Sequence, residues 1–195
     1  MKVVLIRHAA AVPRGTPGVL DDERPLTSSG KVKFRAAARG LARIMPRPDV
    51  LLTSQLPRAQ ETAEIAARAF KRIEPGIAPS LADQSVDGIV EALKTHPYGA
   101  TVALVGHEPM LGALLAHMLG AGQAERLAFK KGGAALVDLP DGPSTPGRLI
   151  WFLDPRVLRT LSDAPGITRP GSPPRPANGG ESRPGDGLAA TSQPL

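Results

Sequence analysis

The sequence lacks cysteine and is poor in aromatic residues, with four Phe, one Tyr and one Trp among 195 residues. Without cysteine the chain forms no disulfide bonds and performs no thiolate chemistry, and this composition is typical of a cytoplasmic protein. The shortage of aromatic rings argues against a surface that binds nucleic acid by stacking on its bases.

Long hydrophobic runs are also absent, and no apolar segment approaches the ~18 residues that a membrane-spanning helix needs. The apolar stretch near the N-terminus, Val3–Ile6, is too short for the core of a secretory signal, and no small-residue cleavage site follows it. We therefore expect a cytoplasmic location and no membrane partner.

The chain is basic, with 24 Lys and Arg residues against 18 Asp and Glu residues and a formal net charge of +6. Binding of nucleic acid through bulk charge is one interpretation, and its affinity would fall steeply as salt rises. The basic residues, however, form no dense run. We therefore expect no nucleic-acid partner, and we expect instead a pocket in which the fold gathers cations around an anionic substrate.

The composition changes near the C-terminus. Residues 163–195 contain seven Pro and six Gly and no aromatic residue. Such a segment buries too little apolar surface to offset the entropy lost on ordering. We predict one folded domain over 1–161 and a disordered Pro/Gly-rich tail over 162–195, with a ligand for an SH3-like partner as the alternative to a plain linker.

Short apolar runs alternate with helical periods along the first part of the chain, which predicts an α/β fold. We expect a three-layer α/β/α sandwich with a mostly parallel central sheet, helices on both faces and an antiparallel pair of strands at the end. The predicted strands are Val3–Ile6, Val50–Leu52, Val102–Val105, Ala134–Leu139 and Leu149–Leu153. The predicted helices begin after Thr27, at Pro57, near residue 85 and at Pro109.

Basic side chains follow three of the predicted parallel strands. The first strand ends on Arg7 and His8, Arg58 lies in the first turn after the second strand, and His107 follows the strand "VALVG". Because the carboxyl ends of parallel strands meet at one edge of a sheet, we expect these four side chains to share one pocket.

The chemistry of these four residues suits a phosphoryl group. Arginine binds phosphate oxygens with two parallel hydrogen bonds, and the N-termini of two helices begin at the same edge of the sheet. A neutral imidazole is a usable nucleophile and would form a covalent phosphohistidine. A second, protonated histidine would stabilise the transferred oxygens. No cofactor is expected, since the sequence has no carboxylate cluster that would hold a metal ion.

The segments "LIRHA", "SQLPRAQETA" and "LVGHEPML", in this order, resemble the histidine phosphatase superfamily, which has the phosphoglycerate mutase-like fold. "RPLTSSG" and the short chain resemble its small branch, the SixA-type phosphohistidine phosphatases. The resemblance covers about residues 2–155. It implies that His8 is the nucleophile and that Arg7, Arg58 and His107 form the phosphate pocket.

The general acid is the least defined part of this resemblance. Many relatives carry an acidic residue after the third strand, and here Asp83 and Asp87 are the candidates, without a clear motif. A phosphohistidine substrate tolerates the lack of an acid because imidazole leaves more readily than an alkoxide. Arg24 either reaches the substrate or pairs with a neighbouring acidic residue of its loop.

Three functions remain open at this point. The first is a metal-independent phosphatase that removes phosphate from phosphohistidine in a protein. The second is a phosphatase of a small phosphorylated metabolite, such as a sugar phosphate or a nucleotide, for which Asp83 or Asp87 would matter. The third is a non-catalytic module that binds phosphorylated partners; a binder has no need of a nucleophile such as His8.

Overall fold

A six-stranded sheet forms the centre of the protein, with the strand order β3-β2-β4-β1-β5-β6. The structure is a computed structural model, and it describes residues 1–165. The strands are β1 Lys2–Arg7, β2 Val50–Thr53, β3 Pro75–Ile77, β4 Thr101–Gly106, β5 Ala134–Asp138 and β6 Arg148–Leu153. β1 is parallel to β4, and β2 is parallel to both β3 and β4, whereas β5 and β6 are antiparallel to their neighbours. The prediction of a mostly parallel sheet with an antiparallel end is confirmed.

Within residues 1–165, five α-helices cover the two faces of this sheet. They are α1 Ser28–Ile44, α2 Pro57–Ala69, α3 Val86–Lys94, α4 Met110–Leu119 and α5 Pro155–Asp163. One apolar cluster packs α1, α2 and α5 against Val4 and Ile6 of β1. The other cluster packs α3 and α4 against Val3 and Leu5, whose side chains point to the opposite face. The three-layer α/β/α sandwich is therefore confirmed.

The start of α1 brings this helix close to the segment that follows β1. The Thr27 hydroxyl accepts a hydrogen bond from the Gly30 N–H at 2.9 Å, which caps the helix as the sequence predicts. A Cβ atom on Gly30 would lie only 2.1 Å from the carbonyl oxygen of Ala10. A residue without a side chain is thus required at position 30 for this close approach.

The strand β3 and the helix α5 were not predicted from the sequence. β3 is a strand of three residues that contains both Pro75 and Gly76, which are rare in strands. α5 is nine residues long, and Leu158 is its one fully buried residue. It ends at Asp163, so the expected domain boundary after residue 161 falls inside this helix. The remainder of the predicted tail, 166–195, lies outside the described residues.

The longest helix, α1, has 17 residues and includes several Lys and Arg residues. Among residues 1–165, no helix has the length and apolar character that are needed to cross a bilayer.

Candidate active site

His8 and His107 lie side by side because their strands pair in register. β1 and β4 are adjacent and parallel, with Arg7 opposite Gly106, so each histidine is the next residue of its chain. The His8 N–H donates to the Gly106 carbonyl at 2.9 Å. The two imidazole rings are 5.0 Å apart between centroids, and both side chains are buried. The sheet edge thus brings together two histidines that are far apart in the sequence.

Arg58 reaches the same place from the first turn of α2. β2 pairs with β4, and Pro57 opens the helix that follows β2, as the sequence predicts. Arg58 is only 6% exposed, and its Nη1 donates to the backbone carbonyl of Asp21 at 2.8 Å. Arg7 and Arg58 both act electrostatically on the pKa of His8 and of His107. The structure therefore brings the four predicted pocket residues into one cluster.

The protonation state of His8 follows from its hydrogen bond. Its Nδ1 lies 2.7 Å from the carbonyl oxygen of Ala9. A carbonyl oxygen only accepts, so Nδ1 carries the proton and Nε2 keeps its lone pair. This is the form of imidazole that a nucleophilic role requires.

Burial holds both imidazoles in the neutral state. Desolvation is the main cause that lowers the pKa of His8 to about 3, and the positive charges of Arg58 and Arg7 lower it further. Desolvation, followed by the charges of Arg58 and Arg7, lowers the pKa of His107 to about 4. Both rings are therefore uncharged at neutral pH, whereas Arg7 and Arg58 remain charged.

Four buried polar atoms of this cluster have no hydrogen-bond partner within residues 1–165. They are Nε of Arg7, Nε of Arg58, and both ring nitrogens of His107. Buried polar groups in folded proteins are nearly always hydrogen-bonded, so this concentration in one place indicates a ligand. Two guanidinium donors and a histidine that can take up a proton are suited to an oxyanion such as phosphate.

Arg24 is buried beside this cluster and pairs with Asp21. Its Nε donates to Oδ1 of Asp21 at 3.0 Å, and its Nη1 donates to the carbonyl of Val12 at 2.8 Å. Its charge also lowers the pKa of Arg58 and of His107. Of the two roles expected for Arg24, the structure shows the ion pair with an acidic residue of its own loop. This ion pair lies next to the pocket.

Asp83 and Asp87 are exposed. Asp83 follows the short 3-10 turn Pro79–Leu81, and Asp87 lies in the first turn of α3. In the described part of the chain, no hydrogen bond or ion pair joins either carboxylate to Arg7, His8, Arg58 or His107. The role of either residue as a general acid stays a prediction.

Sequence reasoning missed Thr62, which supports the nucleophile. Its buried hydroxyl accepts from the N–H of Ala9 at 3.0 Å and donates to the carbonyl of Arg58 at 2.6 Å. One side chain therefore ties the residue after His8 to the turn that carries Arg58. The only sequence signal was a polar residue four positions after Arg58, on the otherwise apolar face of α2.

Glu108 also has a role that the sequence did not indicate. Its Oε1 accepts from the backbone N–H of Phe129 at 2.8 Å. Arg7 donates through Nη1 to the carbonyl oxygen of the same Phe129. These two bonds fasten the segment 121–132 to the pocket.

Comparison with known proteins places this geometry in a family. The sequence pattern of the "Histidine phosphatase superfamily (branch 1)" matches residues 3–89. An uncharacterized protein of Picosynechococcus sp. is 33% identical over 138 residues, which span 68% of this chain and 82% of that protein. The chain belongs to the histidine phosphatase superfamily.

Solved structures agree with this assignment and point to the SixA-like branch. The Agrobacterium tumefaciens protein that is provisionally described as phosphohistidine phosphatase SixA is 28% identical, with a TM-score of 0.65, and the match covers 78% of this chain and 96% of that one. The protein histidine phosphatase SixA in complex with tungstate is 24% identical, with a TM-score of 0.69 and coverage of 81% and 99%. The mycobacterial glucosyl-3-phosphoglycerate phosphatase shares the fold at 16% identity, with a TM-score of 0.61 and coverage of 78% and 98%.

Proposed function

We propose that this phosphatase-family protein hydrolyses phosphohistidine in a partner protein in the cytoplasm, through a covalent intermediate on His8 and without a metal ion. The observation that carries this proposal is the set of buried, unpartnered atoms on Arg7, Arg58 and His107 around a neutral His8. They surround the nucleophile with donors for phosphoryl oxygens, and this positioning and positive charge are what phosphoryl transfer mainly requires.

The reaction has two steps. In the first, the lone pair on Nε2 of His8 attacks phosphorus and the new P–N bond forms. The bond to the substrate imidazole, which is protonated on its other ring nitrogen, breaks with its electron pair and leaves a neutral imidazole. In the second, water attacks phosphorus, the P–N bond to His8 breaks, and inorganic phosphate leaves with the oxygen and the two hydrogen atoms of the water. His8 recovers its lone pair, and the hydrogen bond from Nδ1 to Ala9 holds the ring in the same orientation throughout.

The phosphate charge changes the state of His107. Burial and the nearby arginines hold this imidazole neutral, with a pKa of about 4. A bound phosphoryl group brings negative charge to the two unpartnered ring nitrogens and favours protonation. His107 then donates to the transferred oxygens, and Arg7 and Arg58 supply the positive charge that a metal ion supplies in other phosphatases.

The choice of substrate rests on the leaving group. Imidazole departs without a strong acid, whereas an alkoxide needs a proton donor. The hydrogen bond from Arg14 lowers the pKa of Asp21 to about 2, so the carboxylate that pairs with Arg58 carries no proton at neutral pH, and Asp83 and Asp87 are exposed. The similarity to SixA-type proteins supports the same substrate class.

The test is phosphate release from a protein phosphorylated on histidine and from a panel of sugar phosphates and nucleotides, in the presence of a chelator. Native protein is compared with His8→Ala and with His117→Ala, which removes an exposed histidine of α4. We expect turnover of phosphohistidine by the native and His117→Ala proteins, loss of turnover in His8→Ala, and an alkali-stable, acid-labile phosphoryl group on His8 after rapid quenching.

Other outcomes select the other functions. Preference for a small phosphoester, together with loss of activity in Asp83→Asn or Asp87→Asn, would establish the metabolite phosphatase. Tight phosphate binding without turnover of any substrate would establish the binding module.

A further inference from the structure

A small crevice lies beside the phosphate pocket, and we call it the basic crevice. Its volume is about 50 Å³. Ala9, Ala10 and Phe34 contribute an apolar floor, and the cations Lys33, Lys131 and Arg159 stand around it. None of these three cations is part of the site described above.

The basic crevice opens at the same edge of the sheet as the pocket. β5 begins at Ala134, which pairs with Ile6 near the end of β1. β6 ends at Leu153, which pairs with the same Ala134. Lys131 precedes β5 and α5 follows β6, so both flank the end of β1 that carries Arg7 and His8.

The backbone connects the basic crevice directly to the nucleophile. Gly132, which lines it, donates its N–H to the carbonyl oxygens of Arg7 and His8, at 3.1 and 3.2 Å. Ala10 is two residues after His8, so their Cα atoms are at most about 7.6 Å apart. A group that sits in this crevice is therefore within reach of a substrate whose phosphoryl group is at His8.

The three cations of the basic crevice are not neutralised by the protein. Across residues 1–165, none of them forms an ion pair, and Arg159 donates only to the carbonyl of Pro155, at 3.2 Å. Nearby lysines are paired: Lys31 lies 2.9 Å from Glu61, and Lys130 lies 2.6 Å from Asp154. Three like charges around one opening raise the local concentration of anions.

We propose that the basic crevice binds the carboxylate of an acidic side chain next to the phosphohistidine of the partner protein. This inference rests on the proposed function, because it names a recognition element of the same substrate. The size supports a single small group of a few heavy atoms, since about 10–15 Å³ of such volume holds one water molecule. The apolar floor fits the methylene groups of Glu or Asp, and the three cations fit the carboxylate.

The first experiment removes the cations. Lys33→Ala/Lys131→Ala/Arg159→Ala is compared with a control, Arg35→Ala/Arg39→Ala/Arg68→Ala, which loses the same charge at a groove between α1 and α2. Arg68 is about 15 Å from Arg58 along the axis of α2, away from the pocket. Two substrates are used: free phosphohistidine, and a phosphohistidine protein with Glu or Asp near the phosphorylated residue.

We expect kcat/KM for the acidic phosphoprotein to fall about tenfold in the crevice variant, the lower end of electrostatic effects on association. Turnover of free phosphohistidine is expected to stay unchanged, and the control variant is expected to behave as the native protein. Equal losses in the two triple variants would mean that bulk charge alone matters. An equal loss on both substrates would mean that the crevice supports the pocket itself. Either result overturns the proposal.

A charge-reversal experiment tests the proposal if the triple variant is poorly folded. Lys131→Glu is expected to slow hydrolysis of the acidic phosphoprotein, and a partner whose acidic residue is replaced by Lys is expected to restore the rate. Absence of this restoration contradicts the proposal. If the native protein hydrolyses neither free phosphohistidine nor the phosphoprotein, the proposed function itself fails, and this inference falls with it.

Discussion

Asp21 holds Arg58 at two points. Its backbone carbonyl accepts from Nη1 of Arg58 at 2.8 Å, and its carboxylate oxygen Oδ2 lies 3.9 Å from Nη2. The same carboxylate accepts from Arg24 at 3.0 Å and from Arg14 at 2.8 Å. One acidic residue of the loop before α1 therefore orients two buried arginines at the phosphate pocket.

Asp21→Asn tests this arrangement. The amide keeps the size of the side chain but loses the charge that attracts both arginines. We expect kcat/KM to fall several-fold, because Arg24 and Arg58 lose the negative charge that orients them. Steady-state phosphate release measures it, and Asp22→Asn, the exposed neighbour, is the control. Equal rates for the two variants would show that Asp21 does not orient the pocket.

Thr62→Val removes the hydroxyl that bridges Ala9 and Arg58. The buried N–H of Ala9 loses its partner, which is expected to lower the free energy of unfolding by ~1–3 kcal/mol. We also expect kcat to fall, because the backbone next to His8 is no longer held. Urea unfolding and kinetics measure the two effects. Thr62→Ser keeps the hydroxyl and should restore both; a Ser variant as impaired as the Val variant would refute the bridge.

Glu108→Ala is expected to loosen the segment 121–132. The N–H of Phe129 loses its acceptor, while the bond from Arg7 to the carbonyl of Phe129 remains. Amide hydrogen exchange of Phe129 and its neighbours should become faster, and kcat/KM should decrease. Glu108→Gln retains an acceptor oxygen and should exchange as slowly as the native protein. Unchanged amide hydrogen exchange in Glu108→Ala would show that Glu108 does not hold the segment 121–132 in place.

Acid stability depends on His107. Its pKa is about 4 in the folded protein, against an ordinary value of 6.5. Below pH 6.5 the unfolded chain therefore binds more protons than the folded chain, and stability falls as the pH is lowered to about 4. His107→Gln lacks the part of this stability loss that comes from the protonation of His107. Urea unfolding of both proteins across this pH range should show the native protein losing stability relative to the variant.

The control for the acid measurement is His117→Gln, at an exposed position on α4. Parallel stability curves for the native protein and His107→Gln would contradict the low pKa of His107.

The fold was predictable where local signals agreed with tertiary structure. Thr27, Pro57 and Pro109 mark helix starts by their own chemistry, and the central strands are continuous apolar runs. α5 was missed although Pro155 opens it as Pro57 opens α2, and its position is set by packing against α1. A Cβ atom on Gly40 would lie 1.8 Å from the carbonyl of Leu158, so these helices meet through backbone contact that a pattern of apolar residues does not encode.

The site, like the fold, was predictable only in part. Arg7, His8, Arg58 and His107 follow strand ends, so parallel pairing alone places them together. The residues that support these side chains, Thr62 and Asp21, make contacts between segments that are far apart in the sequence. Thr62 meets Ala9 across 53 positions of the chain, and Arg58 meets Asp21 across 37. No local pattern reports such contacts, and the bond between Glu108 and the N–H of Phe129 is hidden from the sequence for the same reason.

The two imidazoles follow β1 and β4, which are the central strands of the sheet and have hydrogen-bonded neighbours on both sides. Local fluctuations open the ends and edges of a protein well before they reach such strands. The nucleophile therefore belongs to the last part of the molecule to melt. On heating, the backbone that carries His8 and His107 should therefore stay ordered until the whole domain unfolds.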